Sequence, residues 1–233
     1  MQHGAFGACL MAEPKLVADC VKAMREAAGL PVTVKHRIGI DRTESYEFVR
    51  DFVGTVAERG DCGVFIVHAR NAWLKGLSPK QNREVPPLRQ DAVHRLKTDF
   101  PALSIVINGG IRTESEIAAQ LLHVDGVMVG REAYHHPWSM AAWGWRFFDD
   151  EAPLLDRRAV EDAMVGYMER EAAAHATPWP SIARHMMGLW NGTPGARRWR
   201  QVWSDHRLKD LAPREVERRA HAAMRDAAAA STA

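Results

Sequence analysis

Gly63-Val-Phe-Ile-Val-His-Ala69 decides the fold. Apolar, mostly β-branched side chains stand at consecutive positions, so a strand built here is apolar on both faces, as in a parallel sheet covered by helices. Three further stretches have the same character: Val32–Ile38, Leu103–Ile107 and Gly126–Val129. Helical periodicity runs between them. Pro14–Ala28 places Leu16, Val17, Cys20, Val21, Met24, Ala27 and Ala28 on one stripe, with Pro14 at its start and Gly29 just past its end. Asp41, with Glu44 three residues on, predicts the N-cap of a helix that closes at Gly60 and carries Tyr46, Val49, Phe52, Val53 and Val56 on its apolar side. A polar loop with Pro79, Pro86 and Pro87 leads to a helix near Asp91–Asp99. Thr113 and Glu116 form a capping box for a helix to Leu122, and a helical stretch follows the fourth strand.

The order is α-βα-βα-βα-βα, which fits half of a (β/α)8 barrel or a small doubly wound sheet. The first helix has no strand before it, although in a right-handed βαβ series a helix follows a strand. The chain is therefore expected to begin partway through an architecture. Past residue 150 the strand signal stops. Arg157–Ala174, Ile182–Trp190, Gly195–Ser204 and Pro213–Ala230 read as helices, joined by turn-like pieces at 177–180 and 191–195. The expected class is α/β: the second half of a TIM barrel over residues 1–150, then a small all-α domain over 151–233.

Length and composition agree with one large domain or a medium and a small one: 233 residues, 46% hydrophobic and 26% charged. A net charge of +2 excludes a strongly basic, histone-like binder. The charge is not evenly spread. Residues 1–150 carry 18 basic and 18 acidic side chains, whereas 181–209 carry six basic (Arg184, Arg197, Arg198, Arg200, Arg207, Lys209) against Asp205 alone. Cys9, Cys20 and Cys62 form no CxxC pair, which points to a reducing cytosol rather than a disulfide framework or structural zinc. The start lacks a basic n-region, and no apolar run is long enough to span a bilayer.

Barrels carry their sites at the carboxyl ends of their strands. Those ends supply Lys35 and Arg37, His68 and Arg70, Asn108-Gly109-Gly110, and Gly130-Arg131. A Gly-Gly pair between strand and helix lets backbone N–H groups approach a ligand closely, or simply makes a tight turn. Gly130-Arg131 repeats the pattern and adds a bidentate cation for phosphate. Lys35 is either a snorkelling strand-end lysine or a cation aimed at an electron-rich ring or a phosphate. His68 is either a core histidine or a ligand donor or general acid. Arg37 and Arg70 fit a solvated rim as well as a site. Cys9 has apolar neighbours and no nearby base, the setting of a buried structural thiol. No nucleophile elbow, HExxH or Walker loop is present, and His135-His136 lacks carboxylates at ligand spacing, so no metal is expected. In the helical part Arg184, His185, Arg197, Arg198 and Arg200 alternate with Trp190, Trp199 and Trp203. That pattern suits RNA phosphates and stacked bases, or a solvated basic face over a Trp-anchored core.

Five ordered motifs resemble the tRNA-dihydrouridine synthases: Val32-Thr-Val-Lys-His-Arg-Ile-Gly39, Val67-His-Ala-Arg70, Leu77–Leu88 (LSPKQNREVPPL), Ile107-Asn-Gly-Gly-Ile111 and Asp125–Tyr134 (DGVMVGREAY). The loop Ser78–Leu88, with Arg184-His-Met-Met-Gly-Leu189 and Pro194-Gly-Ala-Arg197, is similar to the A-type bacterial subfamily. The resemblance implies an FMN-binding TIM barrel and a helical tRNA-binding domain in a cytoplasmic enzyme. Its reaction is the NADPH-dependent reduction of the C5–C6 bond of D-loop uridines in tRNA, through FMN. It implies flavin contacts for Lys35 and His68, a phosphate cradle from Asn108, Gly109, Gly110, Gly130 and Arg131, and tRNA contacts for Lys80, Arg83, Arg197 and Arg200. The family's catalytic cysteine lies in a Gly-Cys-Pro loop, and this sequence contains no Cys-Pro pair. No residue here is therefore assigned as catalytic, and the chain is expected to be the later two thirds of such an enzyme. The alternatives are a non-catalytic tRNA-binding remnant and, less well matched, an FMN-barrel enzyme that takes no RNA. Open barrel edges would favour self-association.

Overall fold

A computed structural model describes residues 6–148, 151 and 156–230. The chain divides into two compact units, one up to Gly130 and one from Arg131. The boundary expected from the loss of strand signal, residue 150, falls inside the second unit. Local contacts explain the difference. Asn191 Nδ2 donates to the His135 carbonyl at 2.8 Å, and the backbone at Gly188 lies so close to that carbonyl that a Cβ would collide with it. The segment after the last strand thus belongs to the helical unit.

The first unit contains α1 (Pro14–Ala28), β1 (Val34–Arg37), α2 (Tyr46–Gly60), β2 (Val64–His68), α3 (Gln90–Asp99), β3 (Ser104–Asn108), α4 (Glu114–Leu121) and β4 (Gly126–Met128). The strands are parallel and lie in chain order, β1-β2-β3-β4. A doubly wound sheet reverses its order at a switch point, and this sheet does not. With right-handed crossovers, consecutive order lays all the connecting helices on one face. Burial follows suit: Phe65, Val67, Ile105 and Ile107 on that face are fully buried, and His36 is nearly so. The His36 ring lies 5.0 Å from the Phe52 ring of α2. Burial lowers its pKa to about 4, so it is uncharged at neutral pH.

Local signals account for most element ends. α1 starts at Pro14 and ends against Gly29, as its sequence predicts. The stripe of α2 is buried at all of its positions, Tyr46, Val49, Phe52, Val53 and Val56. The stripe of α1 is only partly covered: Ala18 and Val21 are buried, while Leu16 and Met24 remain 49% and 51% exposed. Thr113 and Glu116 form the reciprocal capping box. Asp41 is not the cap of α2. Ser45 is, its hydroxyl accepting from Phe48 N–H. Asp41 adopts a left-handed conformation and its carboxylate accepts from Leu74 N–H at 2.8 Å, which ties two loops together.

The second unit contains α5 (Arg131–His135), α6 (Trp143–Phe147), α7 (Arg157–His175), α8 (Trp179–Ala183), α9 (Ala196–Trp203) and α10 (Pro213–Ala230). The helix expected over Ile182–Trp190 is instead α8, which starts at Trp179-Pro180 and ends at Ala183, with turns from Arg184 on. The core of this unit gathers Val165, Met168, Trp179, Leu189, Trp199 and Trp203. At its centre the fully buried Glu161 accepts from Trp190 Nε1 (2.8 Å), Trp199 Nε1 (2.8 Å) and Trp203 Nε1 (3.1 Å), and pairs with His221 Nε2 (2.8 Å). Two partners on each oxygen fill the lone-pair capacity of a carboxylate. Glu217 is the third member of this buried group, and it is paired with Arg158 and Arg214.

Candidate functional site

Strand register builds the site. Lys35, Ile66, Val106 and Gly126 form one cross-strand row. Two residues on, Arg37, His68, Asn108 and Met128 form the next, at the carboxyl ends of the strands. Side chains alternate across a strand, so both rows lie on the face opposite the helix-covered one. Lys35, His68 and Asn108, nominated separately from the sequence, therefore share one face.

Partial burial of the Lys35 ammonium, helped by the positive charge of Arg37, lowers its pKa. A cation stripped of some of its water attracts an anion or an electron-rich ring more strongly. Lys35 and Arg37 also line a pocket of about 340 Å³ with Leu10, Met11, Val34 and Phe52. Arg37 is held below its ordinary value by burial first, then by the charges of Arg70 and Arg83. The strand ends and the loop after β2 thus concentrate positive charge.

The turn after β3 requires its glycines. Gly109 has φ +117° and Gly110 φ +75°. A Cβ on Gly109 would stand 2.6 Å from His68 Cδ2, and one on Gly110 would strike Leu88. The His68 ring, 8% exposed, is therefore packed directly on the Gly109 backbone. Asn108 donates from Nδ2 to the Met128 carbonyl at 2.8 Å and so fixes the end of β4 against β3.

The other nominated residues are more scattered. Gly130 is exposed at the end of the first unit with open space beside it, and Arg131 is the first residue of α5 in the second. Lys80 and Arg83 are exposed on the loop after β2. Asn82 stiffens that loop: its amide exchanges two 2.8 Å hydrogen bonds with the Trp73 backbone. Arg197 and Arg200 sit three apart on α9 but differ, Arg197 being exposed and Arg200 half-buried with its guanidinium on Asn191 Oδ1. Cys9 is half-buried rather than buried, its thiol donating to the Phe6 carbonyl at 3.1 Å, because the short helix Gly7–Ala12 leaves it partly open. Sequence reasoning missed Asn71 and Asn82, the amides that organise the loops around Arg37. Arg37 NH1 donates to the main-chain carbonyls of both, at 3.3 and 3.0 Å. Their only signal was asparagine in a loop after a strand.

A four-stranded parallel sheet with helices between its strands defines an α/β protein. The model of the dihydrouridine synthase family matches residues 1–227, and the chain belongs to that family. It is similar to the tRNA-dihydrouridine(20/20a) synthases of Yersinia pestis (53% identical over 209 residues, 90% of this chain and 60% of the relative) and Escherichia coli strain K12 (54%, 90% and 60%). The protein of that name from Vibrio cholerae is 50% identical over 216 residues, 93% of this chain and 66% of its own. The A-type subfamily is the one matched. The chain thus spans about 60% of the length of the first two of these relatives. No helix among the described residues is long and apolar enough to cross a membrane.

Proposed function

We propose that this chain carries flavin- and RNA-binding parts of a cytoplasmic tRNA-dihydrouridine synthase, which reduces the C5–C6 bond of D-loop uridines in tRNA with NADPH through FMN. In this reading the second half of a (β/α)8 barrel, expected over residues 1–150, corresponds to the strand-bearing unit up to Gly130, and the tRNA-binding helical domain, expected over 151–233, to the unit from Arg131. The consecutive order of the four parallel strands supports the barrel. The names of the relatives support the substrate.

The observation that carries the proposal is the convergence of Lys35, His68 and the Asn108-Gly109-Gly110 turn on one sheet face. These residues fit FMN. Bare glycine backbone offers N–H groups at a place where any Cβ would collide, and the partly desolvated Lys35 ammonium favours an electron-rich ring. Lys35 and His68 would contact the ring. Asn108, Gly109 and Gly110, with Gly130 and Arg131, would hold the phosphate. FMN, when bound, supplies the hydride that NADPH provides. Asn108 keeps the β3 and β4 ends aligned, and Gly109 keeps the His68 imidazole in place. Lys80, Arg83, Arg197 and Arg200 would neutralise RNA phosphates.

The test is FMN titration followed by quenching of flavin fluorescence. Lys35→Ala is expected to weaken binding about tenfold, the scale of one charge-assisted contact. Gly109→Ala is expected to abolish it by displacing His68 and straining the turn. Wild-type affinity in both variants would overturn the flavin site.

A further inference from the structure

The second unit holds a polar pocket of about 290 Å³ to which the flavin and tRNA assignments contribute Arg200 alone. Its lining includes Tyr134 of α5, Arg184 and His185 from the turns after α8, Asn191, and Arg200 of α9. No carboxylate is among the lining residues. Arg184 and Arg200 have no carboxylate partner among the described residues; their guanidiniums donate to His185 Nε2 (3.1 Å) and Asn191 Oδ1.

The hydrogen bonds fix which groups are left over. A guanidinium Nε can only donate, so His185 Nε2 accepts and bears no proton. The ring proton is then on Nδ1, which donates to the Tyr134 hydroxyl oxygen at 2.9 Å. The Tyr134 O–H proton remains for another acceptor. Asn191 Oδ1 is taken by Arg200 and one Nδ2 proton by the His135 carbonyl, which leaves the second Nδ2 proton. What the pocket offers includes the tyrosine O–H, the second Asn191 amide proton and the remaining N–H groups of two guanidiniums, with His135 also in the lining. A surplus of donors with no carboxylate among them selects an anion, and two planar guanidiniums suit the several oxygens of a phosphate. The frame is fixed: a Cβ at Gly188 would run into the His135 carbonyl, so the two lining segments are locked backbone to backbone.

We propose that this pocket binds one phosphate of an RNA backbone, with Arg184 and Arg200 as the cations and Tyr134 as a neutral donor set by His185. The proposal rests on the tRNA reading above and adds a phosphate site to it. RNA is favoured over a free nucleotide because the exposed Arg197 and Arg198, on the helix that supplies Arg200, are placed for neighbouring phosphates of a strand.

The experiment follows the Tyr134 and His185 ring signals by NMR and measures binding of bulk tRNA at several salt concentrations, for wild type, Arg184→Ala and Tyr134→Phe. Thermal midpoints check that each variant folds. Inorganic phosphate should shift both ring signals saturably in wild type and not in Arg184→Ala. Arg184→Ala should weaken tRNA binding about tenfold and lower its salt slope by about 0.7–0.9. Tyr134→Phe should weaken it a few-fold and leave the slope unchanged, since no charge is lost. If wild type binds tRNA and both variants match it in affinity and slope, the pocket is refuted while the tRNA reading stands. Ring shifts with phosphate in a protein that does not bind tRNA would refute RNA as the occupant and the tRNA reading with it.

Discussion

Replacing Glu161 by glutamine tests what holds the helical unit together. Oε1 accepts from Trp199 and Trp203, and Oε2 meets Trp190 and His221, all between 2.8 and 3.1 Å. Glutamine keeps the shape and one oxygen, which retains Trp199 and Trp203. Its amide nitrogen then faces two former donors. His221 can present a bare Nε2 once the carboxylate is gone, but the Trp190 indole always carries its proton. One buried N–H left without an acceptor costs about 1–3 kcal/mol, and that is the expected loss for Glu161→Gln. Glu161→Ala strands all three indoles, about 3–9 kcal/mol on the same scale. That approaches the whole stability of a domain, so this variant should not fold. Urea unfolding followed by tryptophan fluorescence reads the change where it occurs, with far-UV circular dichroism as a second probe. A Glu161→Gln midpoint equivalent to less than about 0.5 kcal/mol of loss would show that the carboxylate does not organise this core. pH gives an independent check. Burial alone would raise the Glu161 pKa, but bonding and charge from His221, then the Trp199 and Trp190 N–H groups, hold it below its ordinary value. A lowered carboxyl pKa contributes stability above the unfolded value near 4.3 and loses it as pH falls through the folded value. Wild type should therefore lose stability on acidification in a step that Glu161→Gln lacks.

Two further outcomes are expected. Ser45→Ala, which removes the hydroxyl cap of α2, should cost about 1 kcal/mol in chemical denaturation; no loss there would leave α2 held by its apolar stripe alone. Arg197→Ala combined with Arg200→Ala should weaken tRNA binding and flatten its salt slope by up to about 1.5, with FMN affinity unchanged; an unaltered slope would reduce α9 to a solvated basic face.

Legibility in the sequence tracked the distance over which each feature is determined. α1, α2 and the capping box at Thr113 depend on spacings of three or four residues, and all were readable. The grouping of Lys35, His68 and Asn108 was readable too, because strand ends become neighbours once four parallel strands pair in chain order, and the three then share a face without any further information. Asp41 shows how a local rule fails. Asp41 and Glu44 imitate a capping box, but Ser45 stands next to the first buried residue of α2, and the Asp41 carboxylate is claimed by Leu74, 33 residues away. The helix expected over Ile182–Trp190 fails for the same reason. Its apolar pattern is genuine, yet the chain at Gly188 must lie flat against the His135 carbonyl, a demand that only the fold imposes. Glu161 was invisible, since nothing in its own helix distinguishes it from a solvated glutamate and its partners lie 29 to 60 residues on. One clue was available. Several tryptophans crowded into one small helical unit cannot all bury their N–H groups unpaired, so an acceptor had to exist in their midst. The Arg184–His185–Tyr134 relay belongs to the same class. Arg184 and His185 read only as part of a basic stretch and Tyr134 only as the end of a motif, and their hydrogen bonds turn them from a charge count into an anion pocket.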